Sequence, residues 1–225
     1  TGVQACALPI WALSSYGDAI AANPEYARAY LGRGALYYEL GEYFQALDDF
    51  DAAIAANPEY AQAYVYRGLT EADLGNYEIA IADYGIAIRF APDFAQAYLH
   101  RGLAYKALDS YQEAITDFTS AIEREEDFEE AYLNRGVTYY SLGNNRAALD
   151  DLNTAVRLGP ENTEALYNRS FVLAALGRSN AAVADLNAII LLRPSHIDAY
   201  LSRGTIYANA GEYELAISDY NKVID

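Results

Sequence analysis

Very few residues in this chain are of the kinds that do chemistry. Its 225 residues include one cysteine, Cys6, no methionine, and two histidines, His100 and His196. A single cysteine excludes an internal disulfide framework and a cysteine-rich metal site. The histidines lie far apart in sequence. No glycine loop of the phosphate-cradling type is present, and no His/Cys spacing suits a metal. No catalytic residue, cofactor or metal is therefore indicated, and the chain reads as a non-enzyme. Adjacent acids such as Asp48–Asp49 and Asp150–Asp151 do not change this, because neighbouring side chains on a helix diverge. Basic residues are scarce as well: 15 Lys plus Arg stand against 32 Asp plus Glu, a formal net charge of −17. That balance disfavours nucleic acid and anionic membranes, whose phosphates need a basic surface. It gives a solvated, self-repelling surface and suits a neutral or basic partner better than an acidic one. No apolar run reaches the roughly 18 residues that a membrane-spanning helix requires.

What the chain does have is a period of 34 residues. Tyr30, Tyr64, Tyr98, Tyr132, Leu166 and Tyr200 recur at that interval, each followed three residues later by arginine. Next comes Gly34, Gly68, Gly102, Gly136, Ser170 or Gly204. A period of this length marks one supersecondary unit stacked many times, each burying its apolar face against its neighbours.

Each repeat, numbered 1 to 34 from Ala27, carries two helical stripes. Positions 4, 8 and 11 (Tyr30, Gly34, Tyr37) share one face, and positions 20, 24 and 27 (Ala46, Phe50, Ala53) share another. Between them Gly41, Gly75, Gly143, Gly177 and Gly211 stop the first helix, since glycine takes positive φ at low cost. Asp109 stands at that place in the third repeat and tolerates the same conformation better than most residues. Proline at position 32 ends the second helix, as at Pro58 and Pro160. The pattern predicts helices over about 27–40, 44–57, 61–74, 78–91, 95–108, 112–125, 129–142, 146–158, 163–176, 180–192, 197–210 and 214–224, within the usual few residues.

These residues resemble a tetratricopeptide-repeat array of bacterial type. The resemblance implies an all-α fold, a right-handed superhelical solenoid of antiparallel helix pairs whose first helices line a concave groove. Five full repeats are expected at 27–60, 61–94, 95–128, 129–162 and 163–196, with a truncated sixth at 197–225 and the second helix of a truncated leading repeat at 11–26. Residues 1–10 (TGVQACALPI) resemble a translated sequencing adapter and are expected to be non-native. The last helix is expected to expose Ile217, Tyr220 and Val223. The third repeat departs from the pattern at Glu126, where proline is expected, and the fifth at Leu166, Ser170 and Leu173.

Position 7, commonly apolar in the family, is arginine throughout: Arg33, Arg67, Arg101, Arg135, Arg169 and Arg203. Position 23 is aspartate throughout: Asp49, Asp83, Asp117, Asp151, Asp185 and Asp219. Charges on packed faces are costly unless paired. A structural ladder of Arg–Asp pairs is expected, with the aspartate coming from the same repeat or the preceding one.

The resemblance also implies that positions 2, 5, 6, 9, 12 and 13 of the first helices face a ligand. The candidate peptide-binding residues are Tyr66, Leu99, His100, Leu133, Asn134, Tyr140, Tyr167 and Asn168. Asn134 and Asn168 match part of an asparagine ladder of the kind that holds a peptide backbone, because an amide both donates and accepts. Position 5 is mostly apolar, and burial between neighbouring repeats is the competing reading for Leu99 and Leu133. The functional expectation is a non-catalytic scaffold holding a peptide or helix of a protein partner. The alternative is the recognition arm of a larger enzyme, a protein glycosyltransferase or a kinase, with its catalytic domain elsewhere.

Overall fold

The computed structural model describes residues 2–224, with side chains from Trp11 to Ile224. Cys6 and the other side chains of the adapter-like segment lie outside the described residues. The elements are α1 (Gly2–Ala22), α2 (Ala27–Glu39), α3 (Tyr43–Ala56), α4 (Ala61–Asp73), α5 (Tyr77–Phe90), α6 (Ala95–Ala107), α7 (Tyr111–Arg124), α8 (Glu129–Ser141), α9 (Asn145–Leu158), α10 (Thr163–Ala175), α11 (Ser179–Leu192), α12 (Ile197–Asn209) and α13 (Tyr213–Ile224). Among the described residues there is no strand. No described helix is long and apolar enough to cross a membrane.

The helix ends follow from local chemistry. The turn glycines all adopt positive φ, from 73° at Gly177 to 81° at Gly75, and Asp109 does the same at 56°. An aspartate in that conformation is strained relative to glycine but keeps the turn. The chain divides into two compact units, one through Arg124 and one from Glu125. The division falls inside the acidic run 123–127, where the third repeat lacks its proline.

In the first unit, α2 packs on α3, α4 on α5 and α6 on α7, and each pair stacks on the next. The second unit repeats this with α8 to α13. Alanines at positions 20 and 27 are fully buried, as at Ala46, Ala53, Ala80 and Ala87. Glycine at position 8 lets the facing ring approach. A Cβ on Gly34 would lie 2.6 Å from Phe50, and one on Gly102 would lie 2.7 Å from Phe118. In the fifth repeat these two positions hold Ser170, 2% exposed, and the fully buried Leu186. At the last helix Ile217 is 58% exposed, as expected. Tyr220 and Val223 are part-buried, which corrects the expectation for them. Tyr220 fills the space above Gly204, where a Cβ would meet its ring at 2.7 Å.

Candidate functional site

Position 7 binds position 23 of its own repeat. Every arginine donates from Nε and Nη2 to the two carboxylate oxygens of the aspartate sixteen residues later, at 2.5–2.8 Å. The aspartate side chains are 3–10% exposed and the arginines 16–25%. Such forked pairing is what a planar guanidinium does best. The bond to Asp83 holds the Arg67 pKa above its usual value, against the opposing pull of burial. The tyrosine at position 4 lies beside the guanidinium, 5.5 Å from ring centre to Arg67 and 5.9 Å to Arg33.

The remaining arm, Nη1, reaches backwards. Arg67 Nη1 donates to Asp51 at 2.6 Å, Arg169 Nη1 to Asn153 at 3.2 Å, and Arg203 Nη1 to Asn187. These acceptors occupy position 25 of the preceding repeat. One guanidinium thus closes its own helix pair and ties it to the pair before. Sequence reasoning missed position 25. Its only signal was a polar residue recurring beside the position-23 aspartate. In the second repeat that place is Gly85, and a Cβ built there would sit 3.7 Å from Arg101 Nη1.

The candidate groove residues divide into several groups. Leu99 is 1% exposed and Leu133 is 4% exposed, and Leu133 packs in a core with Ala148, Leu152 and Ala165. Both are corrected from ligand contacts to core residues. Position 5 is also buried at Leu31 and Val65, so stacking consumes this row in the first four repeats. Tyr66 is half-buried and stacks on Phe50 at 5.7 Å. His100 is half-buried and stacks on Tyr84 at 6.0 Å, and burial lowers its pKa. In both cases the ring at position 24 of one repeat supports position 6 of the next.

Asn134 and Asn168 are partly exposed, and each turns its Nδ2 onto its own helix, bonding Glu130 O and Glu164 O at 2.9 Å. Tyr140 is 38% exposed. Tyr167 stands edge-on to Phe171 at 4.8 Å, lies 5.6 Å from the His196 ring, and its hydroxyl meets Ser202 Oγ at 3.2 Å.

Three recesses draw on these faces, one of them between α8 and α10 and lined by Glu130, Leu133 and Glu164. In the first unit a recess of about 620 Å³ is lined by Arg28, Leu31, Gly32, Ala35, Gln62 and Tyr66, with Tyr16 and Tyr60 also in its walls. Gly32 leaves room for the Tyr16 ring, which a Cβ would meet at 2.6 Å. In the second unit a recess of about 410 Å³ lies between α10 and α12, lined by Tyr167, Phe171, Ala174, Leu201, Ser202 and Thr205. These last two draw on positions 5, 6 and 9 of first helices. Among the described residues no cluster of His, Cys, Asp or Glu has the form of a metal site.

A repeated helix pair with glycine and alanine at its closest approaches defines an α-helical repeat protein. The chain belongs to the tetratricopeptide repeat family. Matches described as "Tetratricopeptide repeat" cover residues 12–61, 36–84, 95–128, 133–190 and 172–225, and one described as "TPR repeat" covers 68–109. Repeats of this family serve as scaffolds for protein–protein contact.

No curated protein matches the chain. Among solved structures it is similar to a tetratricopeptide repeat protein from Parabacteroides merdae ATCC 43184, with 23% identity, a TM-score of 0.71, 96% of this chain and 85% of that one covered. It is similar to YrrB, described as a TPR protein with an unusual peptide-binding site, with 23% identity and a TM-score of 0.66 over 82% and 95% of the two chains. It is also similar to PilF of Pseudomonas aeruginosa, with 15% identity and a TM-score of 0.77 over 86% and 88%.

Proposed function

We propose that the chain is a non-catalytic scaffold that holds a peptide or helix of a protein partner on the inner faces of its first helices. One observation carries this reading. Each compact unit opens a recess on that face, and the same repeat positions line both. These recesses combine aromatic rings with a few polar groups, the usual make-up of a binding site. The similar structure YrrB is described as peptide-binding, which supports the reading by analogy of fold. Tyr66 and Tyr167 line the recesses, whereas His100, Asn134, Asn168 and Tyr140 lie on first helices outside them and would supply further polar and ring contacts. The acidic balance makes a neutral or basic segment the better ligand.

The test is to select peptides against the purified chain and then measure the double variant Asn134→Ala, Asn168→Ala. Affinity should fall by about 1–3 kcal/mol, since two hydrogen-bonding side chains are lost. The melting temperature should change little, because neither residue is buried. Unchanged affinity with a large loss of stability would make these asparagines structural and the reading wrong.

A further inference from the structure

Position 2 of the first helix changes sign along the chain. It is Arg28, Gln62 and Gln96 in the first unit, then Glu130, Glu164 and Asp198 in the second. All three acids are exposed. An acid in the first turn of a helix complements the positive end of the macrodipole. That effect does not account for the row, because Arg28 occupies the same turn of α2. The carboxyl of Glu130 has its pKa raised by partial burial, then by the charges of Glu164 and Glu129. Glu130 and Glu164 therefore repel each other, and a cation between them would relieve that repulsion.

Next to this row lies the apolar recess between α10 and α12. On α10, Glu164, Tyr167 and Phe171 fall at i, i+3 and i+7, one helical stripe. On α12, Asp198, Leu201 and Thr205 do the same. Phe171 and Leu201 are 40% and 47% exposed. Exposed rings beside carboxylates attract a cation from two directions, through charge and through the ring face.

We infer that the second unit docks a basic, extended segment of a partner protein, its Lys or Arg side chains meeting Glu130, Glu164 and Asp198 in turn, with an apolar residue seated against Tyr167, Phe171 and Leu201. This rests on reading the first-helix faces as the binding surface. Neighbouring packed helices generally lie about 8–10 Å apart. An extended chain rises about 3.3 Å per residue, so the basic residues fall at every third position.

The test uses three synthetic peptides of equal length on the full chain, read by fluorescence anisotropy. One places lysine at every third position around a central leucine. The second has the same composition with its lysines contiguous, and the third replaces lysine by glutamine. The spaced peptide should bind most tightly. The triple variant Glu130→Gln, Glu164→Gln, Asp198→Asn should weaken it about tenfold, as expected for three exposed ion pairs. Circular dichroism checks that the variant remains folded. A second variant, Glu164→Gln alone, should show a partial loss.

Equal binding of the spaced and glutamine peptides, or an unaffected triple variant, overturns the inference while leaving the groove reading standing. Equal binding of the spaced and contiguous peptides overturns the register. No binding by any of the three, together with failure of peptide selection, overturns both.

Discussion

Arg67 holds the Asp83 carboxylate with two hydrogen bonds, Nε to Oδ2 at 2.8 Å and Nη2 to Oδ1 at 2.5 Å. Its third arm reaches Asp51 at 2.6 Å in the repeat before. The Asp83 side chain is 3% exposed, whereas Arg67 is 25% exposed. The pair therefore sits at the edge of the packed face, where its loss is costly but not extreme.

Arg67→Leu should destabilise the chain by about 3 kcal/mol, near the lower end for breaking a buried pair, because Asp83 is left without its partner. The double variant Arg67→Leu, Asp83→Leu should be less destabilised than the single one. Urea unfolding followed by circular dichroism gives both values. A double variant worse than the single one would show that packing, not charge pairing, dominates here.

Arg101 lacks the backward acceptor that Arg67 has, because Gly85 stands where Asp51 stands one repeat earlier. Gly85→Asn should supply it and also remove a glycine from the interior of α5. A gain of about 1 kcal/mol is expected from helix propensity and one hydrogen bond. Thermal melting of the variant checks this, and a loss of stability would mean that the added side chain does not reach Nη1.

Gly102→Ala should cost about 1–3 kcal/mol, since its methyl would press on the Phe118 ring. Adding Phe118→Leu should recover part of that loss. The fifth repeat has a similar order of sizes, with Ser170 at position 8 and Leu186 at position 24, both buried. Comparing melting temperatures of the single and double variants tests the compensation.

His100 gives the chain a pH dependence. Burial lowers its pKa in the folded state below the usual 6.5. Between the folded and unfolded values the unfolded state binds more protons, so stability rises with pH. The contribution is complete above the unfolded pKa and is lost as pH falls through the folded one. His100→Tyr, the residue found at Tyr66, should remove it. The stability difference between the two proteins should therefore change as pH is lowered from about 7 to about 5, the range in which histidine titrates.

The helices and their turns were legible because both rest on local chemistry. Gly41 and its equivalents stop the first helices, and the 3.6-residue stripes set their faces. The sixteen-residue partnership of arginine and aspartate was legible as equal numbers of opposite charge. The rest depends on stacking, which no single repeat encodes. Leu99 and Leu133 looked like groove residues from their helical face, yet the neighbouring helices bury them. The Nη1 contacts to Asp51, Asn153 and Asn187 join residues of different repeats. Asn134 and Asn168 keep their place on the partly exposed face, but each amide also bonds its own helix.

Binding of partner segments to the inner faces of the first helices would shield the side chains there from solvent. The most direct measurement is hydroxyl-radical footprinting of the chain with and without a selected peptide. Protection is expected at Tyr66, Tyr167, Phe171 and Leu201 on the first helices, with Phe44 and Ile79 on the second helices unchanged. Protection of Phe44 and Ile79, with Tyr167 and Phe171 unaffected, would contradict it.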